Sequence, residues 1–270
     1  MPETFLILLT GGVLLATGAC DPRVVPLRWL RLSGVVALVL AGVAIGFAAF
    51  VRDVPAAGSV VVQRVQVGLI TMTVALALGH VAAVPVAMVR AQRWVAVAGF
   101  AVAVLAGSHL LHASMAARGT SLYPGSKALA MALQTFACAG AAALPGLVVM
   151  AALLACGPGT HVDAAVVPLR RLTLAAGAVN AVRLALSVAL VLGLQYARPV
   201  HGLWTSHAVA VAIRWGVGLV APALFLHVAY AHLKRGEVRR ATPFPLVAGV
   251  CVVVGEVLAL HLIRESGLPF

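Results

Sequence analysis

The stretch SHAVAVAIRWGVGLVAPALFLHVAYAHLKR, residues 206–235, is long, apolar and almost free of loop signals. It predicts a membrane-spanning helix, because about 20 consecutive apolar residues cross the hydrocarbon core of a bilayer. Arg214 nevertheless lies well inside this apolar run. An unpaired arginine at the centre of a bilayer costs about 3–17 kcal/mol, so the protein must supply Arg214 with a partner or a water-filled cavity.

Two other charged residues lie equally deep in apolar runs. Arg183 lies in LTLAAGAVNAVRLALSVALVLGL, and Glu256 lies in FPLVAGVCVVVGEVLALHLI. Asn180 and Ser187 share a helix face with Arg183, at positions i−3 and i+4. We therefore predict that the three helices carrying these charges form one polar core and that the rest of the chain is its hydrophobic housing.

The composition excludes a soluble domain, since 63% of the 270 residues are hydrophobic and only 10% are charged. Apolar runs recur along the whole chain, which predicts an all-α polytopic membrane protein, a single helical bundle over residues 1–270. The net charge of +12 does not indicate nucleic acid, because the arginines cluster in short loops between apolar runs. The four cysteines form no C-x-x-C pair and are interpreted as apolar fillers rather than disulfides or an iron–sulfur site.

About eight transmembrane helices are predicted, with Pro145-Gly146 as a kink in the fifth and Pro168 ending the linker before the sixth. The odd-numbered connections are richer in lysine and arginine, which places them in the cytoplasm and both termini on the outer side. The expected location is the bacterial inner membrane. The predicted spans are roughly 5–19, 34–51, 65–89, 94–115, 127–156, 170–196, 206–235 and 244–263.

Histidines accompany the deep charges, and those near the outer side could join them. A carboxylate with nearby arginine and histidine can take up and release protons as a quinol is oxidised or a quinone is reduced. The alternative is an ion pair, Glu256 with Arg214 or Arg183, that only holds helices together. The predicted quinone-binding or proton-handling residues are Glu256, Arg214, Arg183, His80, His109, His112 and His207, with His261 as a further outer candidate.

Haem b is a second interpretation of the histidines, because bis-histidine ligation needs two of them at matching depth on facing helices. His80 with His227 is an inner candidate pair. The outer candidates pair His109 or His112 with His207 or His261. The sequence carries no P-loop, no H-E-x-x-H and no G-x-S-x-G motif, so no catalytic residue is assigned and enzymatic activity of this chain itself stays an open question.

Two short motifs and the predicted layout resemble the membrane anchors of molybdenum-type respiratory oxidoreductases, the DmsC and NrfD group. Gly255-Glu256 is similar to a Gly-Glu feature near the end of such anchors, and His80, Pro85 and Arg90 are similar to a His–Pro–Arg string near their quinone site. The arginine expected soon after Gly-Glu is replaced by leucine and histidine here. The resemblance implies a quinone-contacting role for His80 and Glu256, and an iron–sulfur partner subunit.

The sequence therefore predicts an integral subunit of a membrane electron-transfer complex, binding menaquinone or ubiquinone and anchoring iron–sulfur or cytochrome subunits. Three alternatives stay open. They are a b-type cytochrome, a small-solute or ion transporter, and a purely structural membrane subunit. Internal repeats would favour the transporter, and the sequence shows none that is convincing.

Overall fold

The computed structural model describes residues 2–20, 24–50, 60–83, 89–116, 127–156, 162–193 and 206–268. Within these ranges eight helices are long and apolar enough to cross a membrane, which confirms the predicted all-α polytopic class. The helices are α1 Pro2–Ala19, α2 Leu27–Phe50, α3 Val60–Ala83, α4 Val89–Ala116, α5 Lys127–Cys156, α6 Val162–Gly193, α7 Ala208–Lys234 and α8 Pro243–Ser266.

Several helices begin earlier than the hydropathy of the chain predicts. The first residue of α2 is Leu27 instead of Gly34, so Trp29 lies inside the helix and is buried, donating a hydrogen bond to the Met150 carbonyl at 3.3 Å. Pro168 lies inside the second turn of α6, where its missing N–H removes only one hydrogen bond near the start of the helix. Arginines in these flanking turns lower the hydropathy without opposing helix formation, and this explains the difference.

The eight helices form two rings of four with the same order of neighbours. In the first ring α1 packs on α2, α2 on α3, α3 on α4, and α4 on α1. In the second ring α5 packs on α6, α6 on α7, α7 on α8, and α8 on α5. The rings meet where α1 packs on α5, and these two helices have the most buried membrane-spanning segments of the described chain.

Two glycines allow α1 and α5 to approach closely at the junction of the rings. A side chain at Gly12 would begin 1.8 Å from the Ala142 carbonyl oxygen, and one at Gly146 would begin 2.1 Å from the Gly12 carbonyl carbon. The contact lies beside Pro145, which is inside α5 as the sequence predicted. The backbone of α1 therefore packs closely against the turn of α5 that contains the proline.

A tight turn joins α7 to α8 on the predicted cytoplasmic side. Gly236 adopts a φ of 77°, a left-handed conformation that glycine accepts without strain. His232 Nδ1 lies 2.7 Å from Glu237 Oε2, and the His232 ring stacks on Phe244. The hydrogen bond from His232 holds the pKa of Glu237 below its ordinary value, and Arg240 adds to this. The turn is thus held by local polar contacts outside the membrane.

The junction of the rings generates a stability prediction. We expect Gly146→Ala to lower the free energy of unfolding by about 1–3 kcal/mol, because the new methyl group meets backbone that cannot move aside. Gly42→Ala is the matched control, since nothing lies within 4 Å of a side chain begun there. Thermal unfolding in detergent should have a lower midpoint temperature for Gly146→Ala and an unchanged midpoint temperature for Gly42→Ala. Equal midpoints for both variants would contradict the close approach.

Candidate functional site

The structure brings the three deep charges together inside the second ring. Glu256 of α8 lies between two guanidinium groups. Its Oε2 pairs with Nη1 of Arg183 from α6, and its Oε1 accepts a hydrogen bond from Nη1 of Arg214 of α7 at 3.2 Å. Glu256 is fully buried, and the two arginines are 6% and 1% exposed. We call these three residues the ion cluster.

Glycines make the space in which the arginines lie. A side chain at either Gly218 or Gly255 would begin 3.1 Å from Arg214 Nη1, and the two glycine backbones also face each other where α7 crosses α8. Gly140 of α5 makes the space for Arg183, because a side chain at Gly140 would begin 2.8 Å from Arg183 Cδ. The ion cluster therefore depends on three positions that hold no side chain.

Helix α7 is irregular directly beside the ion cluster. Residues Gly216–Val220 form a π-helical turn between two α-helical segments. The Asn180 side-chain amide of α6 donates a hydrogen bond to the Leu219 carbonyl within this turn, at 2.9 Å. Turns of this kind are frequent at functional sites, where they reorient neighbouring side chains. Here the turn begins two residues after Arg214 and is hydrogen-bonded to α6, the helix that carries Arg183.

Several polar atoms near the ion cluster are buried and make no hydrogen bond within the described chain. They are Asn180 Oδ1, Ser187 Oγ and Arg214 Nε. The cluster also holds two guanidinium groups against one carboxylate, which leaves one positive charge in excess. Buried polar groups normally find partners, so a group of unsatisfied atoms beside an excess charge indicates a place for a polar or anionic ligand.

The predicted outer histidines are only partly near the ion cluster. His207 and His261 meet at the outer ends of α7 and α8, with ring centroids 6.1 Å apart and edge to face. They lie about 10 Å and 8 Å along the helix axes from Arg214 and Glu256, at 1.5 Å per residue. His109 of α4 is half-buried with a buried Nε2 that makes no hydrogen bond in the described part of the protein, and His112 is exposed. The structure does not show these two in contact with the ion cluster.

His80 lies elsewhere, in the first ring. It is fully buried beside the Gln92 backbone of α4 and within 3.6 Å of the position of a side chain at Gly34 of α2. Its role in quinone binding stays a prediction, and Pro85 of the resembling motif lies outside the described residues. His227 is exposed on α7 in the other ring. The pairing of His80 with His227 as haem ligands stays a prediction.

No group of three or more histidine, cysteine, aspartate or glutamate residues that could hold a metal ion occurs within the described ranges. All four cysteines are free, and Cys20 and Cys138 are buried within hydrophobic clusters. Cys138 also lies close enough to Arg183 and Glu256 to feel their charges. The outer haem pairing of His109 or His112 with His207 or His261 stays a prediction.

Sequence reasoning missed the glycines and the π-helical turn. A signal for the glycines exists, because Gly218 is four residues after Arg214 on the same helix face and Gly255 directly precedes Glu256. No signal in the chain indicates the π-helical turn. Its position depends on how α7 packs against α6 and α8.

Comparison with known proteins assigns no family. No protein-family model matches the chain, and neither a curated protein nor a solved structure is significantly similar to it. What can be stated is the class, a multi-pass helical membrane protein with an ionic site inside its second ring.

The charge balance of the ion cluster generates a stability prediction. We expect Glu256→Gln to lower the free energy of unfolding by about 3–5 kcal/mol, because it removes the carboxylate charge with which both buried guanidinium groups pair. Arg183→Met should cost less, about 1–2 kcal/mol, because a neutral Arg214–Glu256 pair remains. The midpoints of thermal unfolding in detergent measure both changes. If Arg183→Met lowered stability more than Glu256→Gln, the excess positive charge would not be what makes the cluster unfavourable.

The glycine contact generates a second prediction. Gly255→Ala should separate α7 from α8 and lower stability by about 1–3 kcal/mol, because its methyl group would lie 2.3 Å from the Gly218 α-carbon. Gly216→Ala is the control, since Gly216 is exposed on α7 and nothing lies within 4 Å of a side chain there. Cysteine crosslinking between the outer ends of α7 and α8 should weaken only in the first variant. Unchanged crosslinking in both variants would contradict the contact.

Proposed function

We propose that the protein is an integral subunit of a bacterial membrane electron-transfer complex and that the ion cluster contacts a quinone or quinol. The observation that carries this proposal is one buried carboxylate between two guanidinium groups, with an excess positive charge and unsatisfied polar atoms beside it. The partners would be iron–sulfur or cytochrome subunits, as in the anchors that the chain resembles.

The chemistry of the side chains at the ion cluster supports a quinone ligand. Arg214 Nε and Ser187 Oγ are buried groups with unused hydrogen-bonding capacity. A quinone supplies the electron-accepting group and gains two electrons and two protons on reduction. The excess positive charge favours the oxygen of the bound ring when it becomes more negative, because buried charges interact more strongly than charges in water.

Glu256 is the proton-handling group in this proposal. It is the one acidic residue among the buried polar groups of the described chain, and both of its oxygens face guanidinium groups. His207 and His261 lie toward the outer ends of the same two helices and can exchange protons with the outer solvent. The seam between α7 and α8 is therefore the proposed route for protons.

A second candidate is a small-solute or ion transporter, favoured by the two rings of helices. Both halves of the chain order their four helices in the same way, and corresponding helices run in the same direction because each half has an even number. Parallel repeats of this kind are common in transporters, with the substrate site at membrane depth. The excess positive charge would then select an anionic solute.

Ser187→Ala tests the proposed quinone contact with little risk to the fold. Its hydroxyl makes no hydrogen bond within the described chain, so its removal should not lower stability. We expect binding of menaquinone or ubiquinone, measured by quenching of tryptophan fluorescence in nanodiscs, to weaken about two- to tenfold, the value of one neutral hydrogen bond. Arg214→Met should weaken it about 10- to 100-fold.

Val250→Ala is the control, because this residue is 67% exposed on the same helix as Glu256. The rate of quinol-linked electron transfer in native membranes should fall most in Arg214→Met, less in Ser187→Ala and not in Val250→Ala. Folded protein that shows no saturable quenching by either quinone would contradict the proposal. Solute flux in proteoliposomes that contain this chain alone, lost in Arg214→Met, would establish the transporter instead.

A further inference from the structure

A crevice away from the ion cluster lies at the predicted cytoplasmic ends of α1 and α6. Its volume is about 160 Å³, and its lining includes Cys20 after α1, Val24 in the next turn, and Val167, Arg171 and Leu172 of α6. A cavity of this size elsewhere accepts one benzene-sized group. The crevice can therefore take a small group with a short length of hydrocarbon.

The crevice combines an apolar wall with positive charge. Val24 is 43% exposed and Val167 is 41% exposed, so the wall opens to the surroundings of the protein. Arg171 is exposed at its edge, and the described lining includes no carboxylate. An amphipathic crevice with a cationic edge is complementary to a molecule with an anionic head and an apolar tail.

A second arginine approaches the same place from α4. The Arg93 carbonyl oxygen lies 3.7 Å from the position of a side chain at Gly18, two residues before Cys20. Burial raises the pKa of the Cys20 thiol to about 12, and both Arg171 and Arg93 oppose that rise. Two guanidinium groups from different helices thus act on one point at the end of α1.

We propose that this crevice binds the phosphodiester headgroup of an anionic phospholipid from the inner leaflet, with Arg171 at the phosphate and Val24 and Val167 along the first acyl methylenes. Depth in the membrane supports a lipid over a free anion, because the arginine-rich end of the bundle faces the leaflet that carries anionic lipids. The bound lipid would connect α1, α4 and α6, and with them the two rings.

The test compares neighbouring arginines in the full chain. In nanodiscs of phosphatidylcholine with phosphatidylglycerol, native mass spectrometry measures how much phosphatidylglycerol the purified protein retains. We expect Arg171→Gln to reduce the retained phosphatidylglycerol about tenfold, the value of one charge-assisted hydrogen bond. Arg170→Gln removes the same charge one residue earlier, outside the lining of the crevice, and should change retention less than about twofold.

Three outcomes would overturn the proposal. They are equal losses in the two arginine variants, equal retention of phosphatidylcholine and phosphatidylglycerol, and full displacement of the lipid by inorganic phosphate. If Arg171→Gln does not fold, Val167→Ser replaces it, because this exposed side chain contributes only the apolar wall. The lipid proposal requires that Val167→Ser also lowers retention, and an unchanged amount would refute it.

Discussion

A carboxylate held between two guanidinium groups inside the bilayer is the constraint on which the rest of the second ring depends. Each of Arg183, Arg214 and Glu256 comes from a different helix, and none reaches solvent to any extent. Because charge is so unfavourable in hydrocarbon, α6, α7 and α8 can only pack in arrangements that keep these groups in contact. The glycines at 140, 218 and 255 and the π-helical turn are consequences of that requirement.

The two rings share an order of helices but differ in chemistry. Buried polar residues of the first ring are neutral side chains, such as Gln66, His80 and Gln92, whereas the second ring holds the buried ions of the described chain. Helices α1 and α5 join the rings through small residues and little polarity. This asymmetry concentrates the buried charge of the described chain in one of the two rings.

The charge of the site bears on its ligand more directly than its shape does. An enclosed pair of opposite charges would be complete by itself, and its removal in favour of apolar residues could even be stabilising. An additional guanidinium group, with unsatisfied atoms at Asn180, Ser187 and Arg214 beside it, is not complete. Reduced quinones and anionic solutes both supply what such a site lacks, which is why redox and transport functions compete as explanations.

Hydropathy and the rarity of charge were enough to predict the membrane class, about eight spans, and the three residues that cannot face lipid. They were not enough to predict where the helices end, because arginines in the flanking turns, such as Arg28 and Arg31 before Gly34, lower the hydropathy but do not stop the helix. They also left open whether Glu256 pairs with Arg214 or Arg183, and the structure shows both pairs.

The sequence by itself determined where each polar residue lies along its span, since position along a helix follows from its number in the span. The tertiary structure alone decided which residues of equal depth meet. His207 and His261, from two different helices, come together, whereas within the described residues His109 and His112 are not seen to touch the ion cluster. The reason is that the rotation and placement of each helix against its neighbours depend on close contacts between helices. Those contacts are made here at Gly12, Gly146, Gly218 and Gly255, and the residue pattern of a single helix does not encode them.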